Sequence, residues 1–316
     1  MDVVNGYDHV PRTARCGVLA IGNFDGVHRG HQVLLAKARE IAKPLKAPAG
    51  VLAFEPHPRT LFQPDRPHFR LTTLTQRIAL FRQFGMDLCL VLPFDRKLAS
   101  LTAEQFIERV LVAGFGLKHA VIGYDFHFGR DRGGSPASLV AAGKEMGFGV
   151  TVVEPVADGG EVVSSSAVRA ELAQGDIEGA TFLLGHRWRV AGEVKGGAQR
   201  GTGMGYPTAN IGLAAGTALA HGIYAVQVHV GGKVYGGAAY LGTRPTFDNG
   251  DAVLETFLLD FDGDLYGKTI ELEFIGFIRS DRKFDGGGAL VAQMDKDVAR
   301  ARELLADPKV KTKPTD

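Results

Sequence analysis

Two histidines three residues apart are the first feature of this sequence that could do chemistry. His28 and His31 lie in GNFDGVHRGHQVLL, Gly22 to Leu35, which follows a short apolar run and leads into a helical pattern. On one helix face, two imidazoles could donate hydrogen bonds to the same charged oxygens. Three interpretations are open at this point: the pair binds a metal, binds a phosphate, or only begins a helix.

The residues around the pair favour a phosphate. A strand ending at Gly22, a turn with glycine and a helix beginning near Arg29 bring main-chain N–H groups and a helix dipole to one point. Gly30 would let a phosphate approach the backbone between the histidines. A metal would need a third ligand, and neither HExxH nor an acidic partner on the same face is present.

A glycine-rich stretch, GTGMGYPTANIGL at residues 201–213, is the second such feature. It is not a Walker loop, and its glycines miss the spacing of a dinucleotide-binding fingerprint. A plain turn is one interpretation. A magnesium site is the other, because Thr208 and Asn210 offer neutral oxygen ligands suited to a hard cation that is shared with substrate phosphates.

Further polar residues follow predicted strands. FEPHPRTLF contains a rigid turn at Pro56, His57 and Pro58, and GYDFHFGRDRGG carries Asp125 and Phe128. A simple turn and an ordinary loop carboxylate are the alternatives to a binding role. Because ligands of parallel sheets sit beyond the carboxyl ends of the strands, we expect these residues to line a shared cleft.

Serines at a predicted helix start form the last group. VSSSAVRAEL places Ser164, Ser165 and Ser166 at this start and Arg169 inside the helix. Serine hydroxyls cap a helix N-terminus and can also hold phosphate, and an arginine supplies a fixed positive fork. Capping alone is the alternative for the serines.

The elements that must position these residues first alternate between strand and helix. From residue 17 to about 155, short apolar runs alternate with helical patterns, which predicts a parallel α/β sheet covered by helices on both faces. The five runs are GVLAIG, GVLAFE, DLCLVLPF, HAVIGY and GVTVVEP.

After about residue 185 the pattern changes. In GIYAVQVHV, residues 222–230, apolar and polar side chains alternate, and several more short strands follow between glycine turns. This texture predicts a small antiparallel β-barrel, with a C-terminal helix at about residues 289–305 packed on it. We therefore predict two domains, residues 1–185 and 186–316.

Several separate motifs resemble those of one enzyme family. NFDGVHRGH is similar to the HxGH signature of the nucleotidyltransferase superfamily, in the form found in bacterial flavin adenylyltransferases, and FEPHP, GYDFHFG and VSSSAVRAEL match their later segments. PTAN, LGTRPTF, LETFLLDFDGDLYG and the tail from FIRSDRKFDGGG onward resemble riboflavin kinases. The resemblance covers about residues 15–305 and is to the bifunctional riboflavin kinase/FAD synthetase family, which phosphorylates riboflavin to FMN and then adenylylates FMN to FAD.

For the N-terminal domain the resemblance implies a Rossmann-like nucleotidyltransferase fold. His28 and His31 would hold ATP phosphates and stabilise charge on the α-phosphate during attack. The other residues implied at ATP are Gly22, Asn23, Phe24, Gly30, Ser164, Ser165 and Arg169. The residues implied on the flavin side are Pro56, His57, Pro58, Asp125 and Phe128.

For the C-terminal domain the resemblance implies a riboflavin kinase barrel. Glu255 would be the general base that removes the proton of the ribityl hydroxyl as it attacks the γ-phosphate of ATP, where the alternative is a solvent-facing strand carboxylate. Gly205, Thr208 and Asn210 would bind ATP, the last two together with Mg²⁺. Arg279 is implied as a flavin contact.

Some positions depart from the family pattern. Thr202 stands where the kinases commonly have arginine, Phe257 where histidine often follows the glutamate, and FDGGGAL is glycine-rich where a serine is usual. In the first domain, Ser166 replaces a usual threonine. Thr202 and Phe257 leave open an enzyme that only adenylylates FMN. A flavin-binding carrier with two idle sites is a third interpretation, against which the intact catalytic set argues.

Composition limits the partners. The net charge is +1 and no basic stripe is longer than the terminal KVKTK, so no nucleic-acid partner is expected. No run approaches the roughly 18 apolar residues of a membrane helix, so no membrane association is expected. Cys16 and Cys89 lack CxxC spacing, which fits a reducing cytoplasm. The expected ligands are riboflavin, FMN, ATP and Mg²⁺, and no oligomeric state is predicted.

Overall fold

The structure is a computed structural model that describes residues 1–158, 160–195, 206–243 and 252–307. The chain divides into two units, Met1–Ser165 and Ser166–Asp316, each with its own internal packing. This division follows packing. The predicted boundary near residue 185 instead separates two catalytic domains, and it stays a prediction.

A six-stranded parallel sheet forms the centre of the first unit. Its strands are β1 (Asp2–Asn5), β2 (Val18–Ile21), β3 (Ala49–Glu55), β4 (Leu88–Pro93), β5 (His119–Gly123) and β6 (Gly149–Val153). They lie in the order β1-β4-β3-β2-β5-β6, and every neighbouring pair is parallel. The predicted parallel α/β sheet is confirmed, with the five apolar runs as β2 to β6. β1 adds a sixth strand that the sequence analysis did not predict, and it is paired only along the edge of β4.

Helices cover the sheet on both faces. The helices of this unit are α1 (Arg29–Leu45), α2 (Pro58–Phe62), α3 (Leu74–Gln83), α4 (Arg96–Ala99), α5 (Ala103–Gln105), which continues as a π-helix (Phe106–Gly114), and α6 (Pro136–Met146), and of these α2 buries no side chain. β2 shows why two covers are needed: Val18 and Ala20 join one apolar cluster together with Leu35 of α1, whereas Leu19 and Ile21 join another. Successive side chains of a strand point to opposite faces, so a strand that is apolar throughout must be covered on both.

A short hairpin and two helices precede the second sheet. The hairpin is β7 (Ala157–Asp158) with β8 (Glu161–Val162), and the helices are α7 (Ser165–Gln174) and α8 (Ile177–Leu184). In the second unit, α8 packs against the barrel described next, and the carbonyl of Leu172 in α7 accepts the main-chain N–H of Ala220 at 3.0 Å.

A closed antiparallel barrel forms the second unit. Its strands are β9 (Arg189–Lys195), β10 (Thr208–Gly212), β11 (Gly222–Val230), β12 (Lys233–Thr243), β13 (Ala252–Leu258) and β14 (Thr269–Ser280), in the closed order β10-β13-β12-β11-β14-β9. Tyr224, Val226 and Val228 of β11 are buried in its interior, as their alternation predicted. The predicted barrel is thereby confirmed. The final helix, α9 (Gly287–Ala306), packs on β11, β12 and β14, also as predicted.

Candidate active sites

The two histidines lie where the sheet reverses its strand order. β2 has β3 on one side and β5 on the other, so the chain leaves the carboxyl end of β2 at a topological switch point. Open parallel sheets bind ligands in the crevice at such a point. Residues 22–28, here called the β2–α1 loop, follow β2 directly, and α1 begins at Arg29. The fold therefore puts the predicted phosphate-binding stretch at the edge where ligands are expected.

His28 caps the first turn of α1. Its Nδ1 accepts the main-chain N–H of His31 at 3.4 Å, and the side chain is buried. A ring nitrogen that accepts a hydrogen bond carries no proton, so in the neutral imidazole the proton is on Nε2. The two rings stack with their centroids 3.6 Å apart. Two imidazoles therefore stand side by side at the start of one helix.

The surroundings of His31 favour its neutral form. Burial, then the neighbouring His28, then Arg77 lower the pKa of His31 well below its usual value. The ring contacts that of Phe24, with centroids 5.1 Å apart, and its Nδ1 is buried without a hydrogen-bond partner among the residues that the structure describes. A neutral imidazole binds an anion by donating an N–H, with no charge of its own.

The β2–α1 loop has an unusual backbone. Phe24, Gly26 and Val27 have φ values of 53°, 83° and 43°, in the left-handed region. For a residue other than glycine this conformation costs on the order of 1–3 kcal/mol and persists only where the surroundings impose it. Phe24 and Val27 are fully buried, so apolar packing supplies part of that constraint.

Asp25 supplies another part. Its buried carboxylate accepts the main-chain N–H of Leu71 at 3.0 Å and that of Thr72 at 3.1 Å, while the Thr72 hydroxyl accepts the N–H of Gly26 at 2.9 Å. The hydroxyl of Ser165 donates to the carbonyl of Asp25 at 2.8 Å. Asp25 was not predicted from the sequence, although a carboxylate inside a phosphate-binding stretch was a signal, because it would repel phosphate unless it were turned away and bonded.

Glu55, the last residue of β3, binds two arginines. Arg70 donates to it through both terminal nitrogens at 2.7 Å each, and Nη2 of Arg77 pairs with its Oε2. Nη1 of Arg77 donates to the main-chain oxygen of Asn23 at 2.8 Å. Burial opposes ionisation of Glu55, but the hydrogen bonds and charges of Arg70 and Arg77 lower its pKa overall. None of these three side chains was singled out from the sequence.

The other residues predicted for ATP in this part of the chain lie along the same stretch or on α7. Gly22 begins the loop, and a Cβ at Gly30 would lie 3.1 Å from the ring of His28, which explains the glycine there. Ser164 directly precedes α7, and Arg169 lies on α7 in the second unit.

The turn predicted for the flavin follows β3. Pro56, His57 and Pro58 come directly after Glu55, and the Glu55–Pro56 peptide bond is cis. Nδ1 of His57 accepts the N–H of Arg59 at 3.2 Å and thereby caps α2. His57 thus has a structural role in addition to its predicted one.

The second flavin-side segment follows β5. Asp125 is exposed two residues after the strand ends. Phe128 is buried, with its ring against Phe106 and stacked on Phe126 at centroid distances of 5.6 and 5.3 Å. The Phe128 ring therefore packs into the core beneath this edge, and of the two stacked rings Phe126 is the more accessible.

In the barrel, two predicted catalytic residues face each other. Asn210 of β10 lies directly opposite Glu255 of β13, and Thr208 lies opposite Phe257. Directly opposed residues of antiparallel strands project from the same face. The intervening Thr256 is fully buried in the interior, so the four paired side chains lie on the outer face of the barrel.

Two tyrosines border this outer face. Tyr240 of β12 lies opposite Glu255, and its hydroxyl donates to Asp281 at 3.0 Å. The ring of Tyr206 packs edge-on against Phe257, with centroids 4.9 Å apart. An apolar aromatic contact therefore occupies the position at which the kinase pattern often has histidine.

Arg279, predicted at the flavin, is bound to α9. Its Nε and Nη2 donate to the carboxylate of Asp297 at 2.8 and 2.7 Å. Gly205 and Thr202 lie outside the described residues.

The oxygen atoms of the Thr208 hydroxyl and the Asn210 side-chain amide are suitable ligands for a magnesium ion. The amide nitrogen of Asn210 donates to the main-chain oxygen of Thr208 at 3.4 Å, which turns the amide oxygen to the opposite side. The described residues contain no group of three or more His, Cys, Asp or Glu side chains that could hold a metal alone. A cation here would therefore rely on neutral oxygens together with substrate phosphates, which are hard oxygen ligands of the kind that Mg²⁺ takes.

Comparisons with known proteins match both halves of the chain. Residues 10–167 match the FAD synthetase family, and residues 184–305 match the riboflavin kinase family. Three curated proteins named bifunctional riboflavin kinase/FMN adenylyltransferase are similar over nearly their full length. That of Pseudomonas fluorescens is 41% identical and covers 97% of this chain and 98% of its own, that of Escherichia coli K12 is 39% identical (96% and 98%), and that of Bacillus subtilis is 36% identical (90% and 91%).

A crystal structure from Streptococcus pneumoniae, described as a macrolide-efflux protein, has the same fold. It aligns with a TM-score of 0.84 and 29% identity over 95% of this chain and 98% of its own. In the part of the chain that the structure describes, no helix is long and apolar enough to cross a membrane.

Proposed function

This chain belongs to the family of bifunctional riboflavin kinase/FMN adenylyltransferases, and on that premise we propose how its residues divide the two reactions. It is a transferase that phosphorylates riboflavin to FMN with ATP, and adenylylates FMN with a second ATP to FAD and pyrophosphate. We assign adenylylation to residues 1–185 and phosphorylation to residues 186–316. The observation that carries this division is the stacked imidazole pair at the switch point of the sheet.

In adenylyl transfer, a phosphate oxygen of FMN attacks the α-phosphorus of ATP, and the bond from that phosphorus to the pyrophosphate oxygen breaks. His28 donates a hydrogen bond from its Nε2–H to an ATP phosphate, and the neutral form of His31 donates one from the same helix face. Donors that are fixed before the reaction stabilise the charge that develops on the α-phosphate without reorganising. The N–H groups and dipole of the first turn of α1 add to that effect.

The remaining residues of this site are proposed to hold the two substrates. Ser164, Ser165 and Arg169 are assigned to the phosphates of ATP. The 56–58 turn and Asp125 are assigned to the flavin, at the carboxyl ends of β3 and β5. Phe128 supports that edge from the core side.

In riboflavin phosphorylation, Glu255 is proposed to take the proton of the ribityl hydroxyl as its oxygen attacks the γ-phosphorus of ATP. The support is its position on the outer face of the barrel, directly opposite Asn210. Because cross-strand neighbours lie within a few ångströms, the base and the phosphate-binding amide act on one substrate pair. Gly205 and Arg279 are assigned to ATP and to the flavin.

Thr208 and Asn210 are proposed to hold Mg²⁺. The support is the pairing of a hydroxyl with an amide oxygen on one strand face. When bound, the ion neutralises phosphate charge. The chain's own residues orient the phosphates and position Glu255.

We propose that the chain acts in the cytoplasm on the small molecules riboflavin, FMN and ATP, with no nucleic-acid partner. The support is its composition, with a net charge of +1 and two cysteines without metal or redox spacing.

One assay tests the function. The protein is incubated with riboflavin, ATP and Mg²⁺, and the flavins are resolved by chromatography. FMN followed by FAD is expected. Failure to make FMN while added FMN is adenylylated would leave a single-activity enzyme, and unchanged riboflavin and FMN would indicate a flavin carrier.

A further inference from the structure

We infer that Arg77 is a positioning residue for adenylyl transfer, which holds the β2–α1 loop in register with the turn at the end of β3. This inference rests on the proposed function, because it concerns the geometry of that site. Arg77 belongs to α3 and belongs to neither predicted set of ligands.

The burial of Arg77 is the first reason. The side chain is 2% exposed, among the largest fully buried side chains described, and its charge is paired with Glu55. A buried ion pair is weak evidence for stability, because apolar residues of similar volume often stabilise a core as well or better. The presence of a guanidinium at this point of α3 therefore calls for a reason other than stability.

The direction of its hydrogen bonds is the second reason. One terminal nitrogen donates to the main-chain oxygen of Asn23 at 2.8 Å, and the other pairs with Glu55. Asn23 lies just after the end of β2, and Glu55 is the last residue of the neighbouring strand β3. A planar guanidinium presents donors in a fixed fork and can bridge two such acceptors, whereas an ammonium is a point charge. Arg77 thus links the β2–α1 loop to Glu55, the residue directly before the 56–58 turn.

The backbone of the loop is the third reason. Asn23 directly precedes Phe24, which has a left-handed backbone, and Val27 has one just before His28. Such residues need constraints from outside the loop. Asp25 and Thr72 fix its middle, and Arg77 fixes the carbonyl at its beginning. The charge of Arg77 also contributes to the lowered pKa of His31.

Arg70 provides a matched comparison. It donates to the same carboxylate with both terminal nitrogens, and these hydrogen bonds go to Glu55 and not to the β2–α1 loop, where its charge acts on Asp25 without a hydrogen bond. Arg82 lies on the same helix as Arg77 and is exposed. Each of the three is substituted by lysine. Arg77→Lys alters the hydrogen bonds to the loop and to Glu55, Arg70→Lys alters only the pairing with Glu55, and Arg82→Lys reports general effects on α3.

The test measures kcat and KM for FMN adenylylation, riboflavin phosphorylation and thermal unfolding in the whole protein. For Arg77→Lys we expect the adenylylation kcat to fall by about 10- to 100-fold, the range that a small misplacement of catalytic groups causes, with KM for ATP changed less than about threefold. Riboflavin phosphorylation should stay as in the unsubstituted protein. Arg70→Lys should lose clearly less adenylylation, and Arg82→Lys none. Arg77→Met, which has no donors, should lose at least as much as Arg77→Lys.

Three results would overturn the inference. The first is an adenylylation kcat of Arg77→Lys equal to that of Arg82→Lys. The second is a loss of adenylylation in Arg70→Lys equal to that in Arg77→Lys. The third is a loss of both reactions and of the folded state in Arg77→Lys. The last result would make Arg77 a structural residue only. If the unsubstituted protein made FMN but no FAD, the proposed function itself would fail, so the two failures are distinguishable.

Discussion

At the scale of single residues, His28 has two separable roles. Its Nδ1 caps α1 and its Nε2 is proposed to donate to ATP. Asparagine is a good N-cap residue and alanine a poor one, so the two substitutions differ in what they remove.

We expect His28→Asn and His28→Ala both to abolish FAD formation while FMN still forms from riboflavin. Only His28→Ala should also destabilise the protein, by about 0.5–2 kcal/mol, because it alone removes the cap. Chromatography of the flavins and thermal unfolding measure the two effects. A His28→Asn variant that still adenylylated FMN would contradict the role of the imidazole.

The lowered pKa of His31 predicts a dependence of stability on pH. Burial, His28 and Arg77 keep the pKa in the folded chain below its usual value near 6.5, so below that pH the unfolded chain binds a proton more readily than the folded one. The free energy of unfolding therefore falls as the pH falls through this window. His31→Gln cannot take up the proton and should lose less stability between pH 7 and 5, as measured by calorimetry. A difference between the two proteins that is independent of pH would contradict this.

Sequence patterns located residues whose spacing along the chain carries information, such as His28 with His31. They did not reveal Asp25, Glu55 or Arg77, because these act through partners 15 to 54 positions away. An arginine in an amphipathic helix pattern ordinarily faces solvent, and only the fold shows that Arg77 is buried.

At the scale of elements, apolar runs and helical periodicity predicted the parallel sheet, the barrel and α9. β1 was not predicted because DVVN is four residues long and half polar. Its strand conformation comes from pairing with the edge of β4. The sequence predicted a helix at Phe106–Gly114 but not its π-helical form, because the spacing of its apolar residues is also that of an α-helix. Long-range pairing decided the first case, and a local shift of the helical hydrogen bonds the second.

A buried ion pair attaches α9 to the barrel. Asp297 of α9 is 6% exposed and accepts both Arg279 of β14 and Gln293. Asp297→Asn breaks the ion pair and leaves a partly buried arginine, so it should cost about 3 kcal/mol of barrel stability. Glu303→Gln on the same helix removes an exposed pair with Arg300 and should cost less than about 0.5 kcal/mol.

Denaturant unfolding followed by tryptophan fluorescence measures this cost in the second unit alone. The chain has one tryptophan, and Trp188 is buried against Phe274 of the barrel. Equal midpoints for the Asp297 and Glu303 variants would show that the Arg279 pair does not secure α9.

At the scale of the whole molecule, the chain carries out two reactions that share FMN, and it folds into two units with separate cores. If residues 1–185 and residues 186–316 each contain a complete site, a defect in one leaves the other intact. Asn210→Ala should therefore prevent FMN formation from riboflavin but still adenylylate added FMN, the reverse of His28→Asn.

Complementation tests this separation. Alone, neither His28→Asn nor Asn210→Ala should convert riboflavin to FAD with ATP and Mg²⁺. Mixed, they should, because FMN released by the first variant diffuses to the second, after a lag that shortens as the Asn210→Ala concentration rises. A mixture that accumulated no FAD, although each variant carried out its retained reaction, would mean that FMN is not released from the kinase barrel. Each complete site would then serve only the chain that carries it.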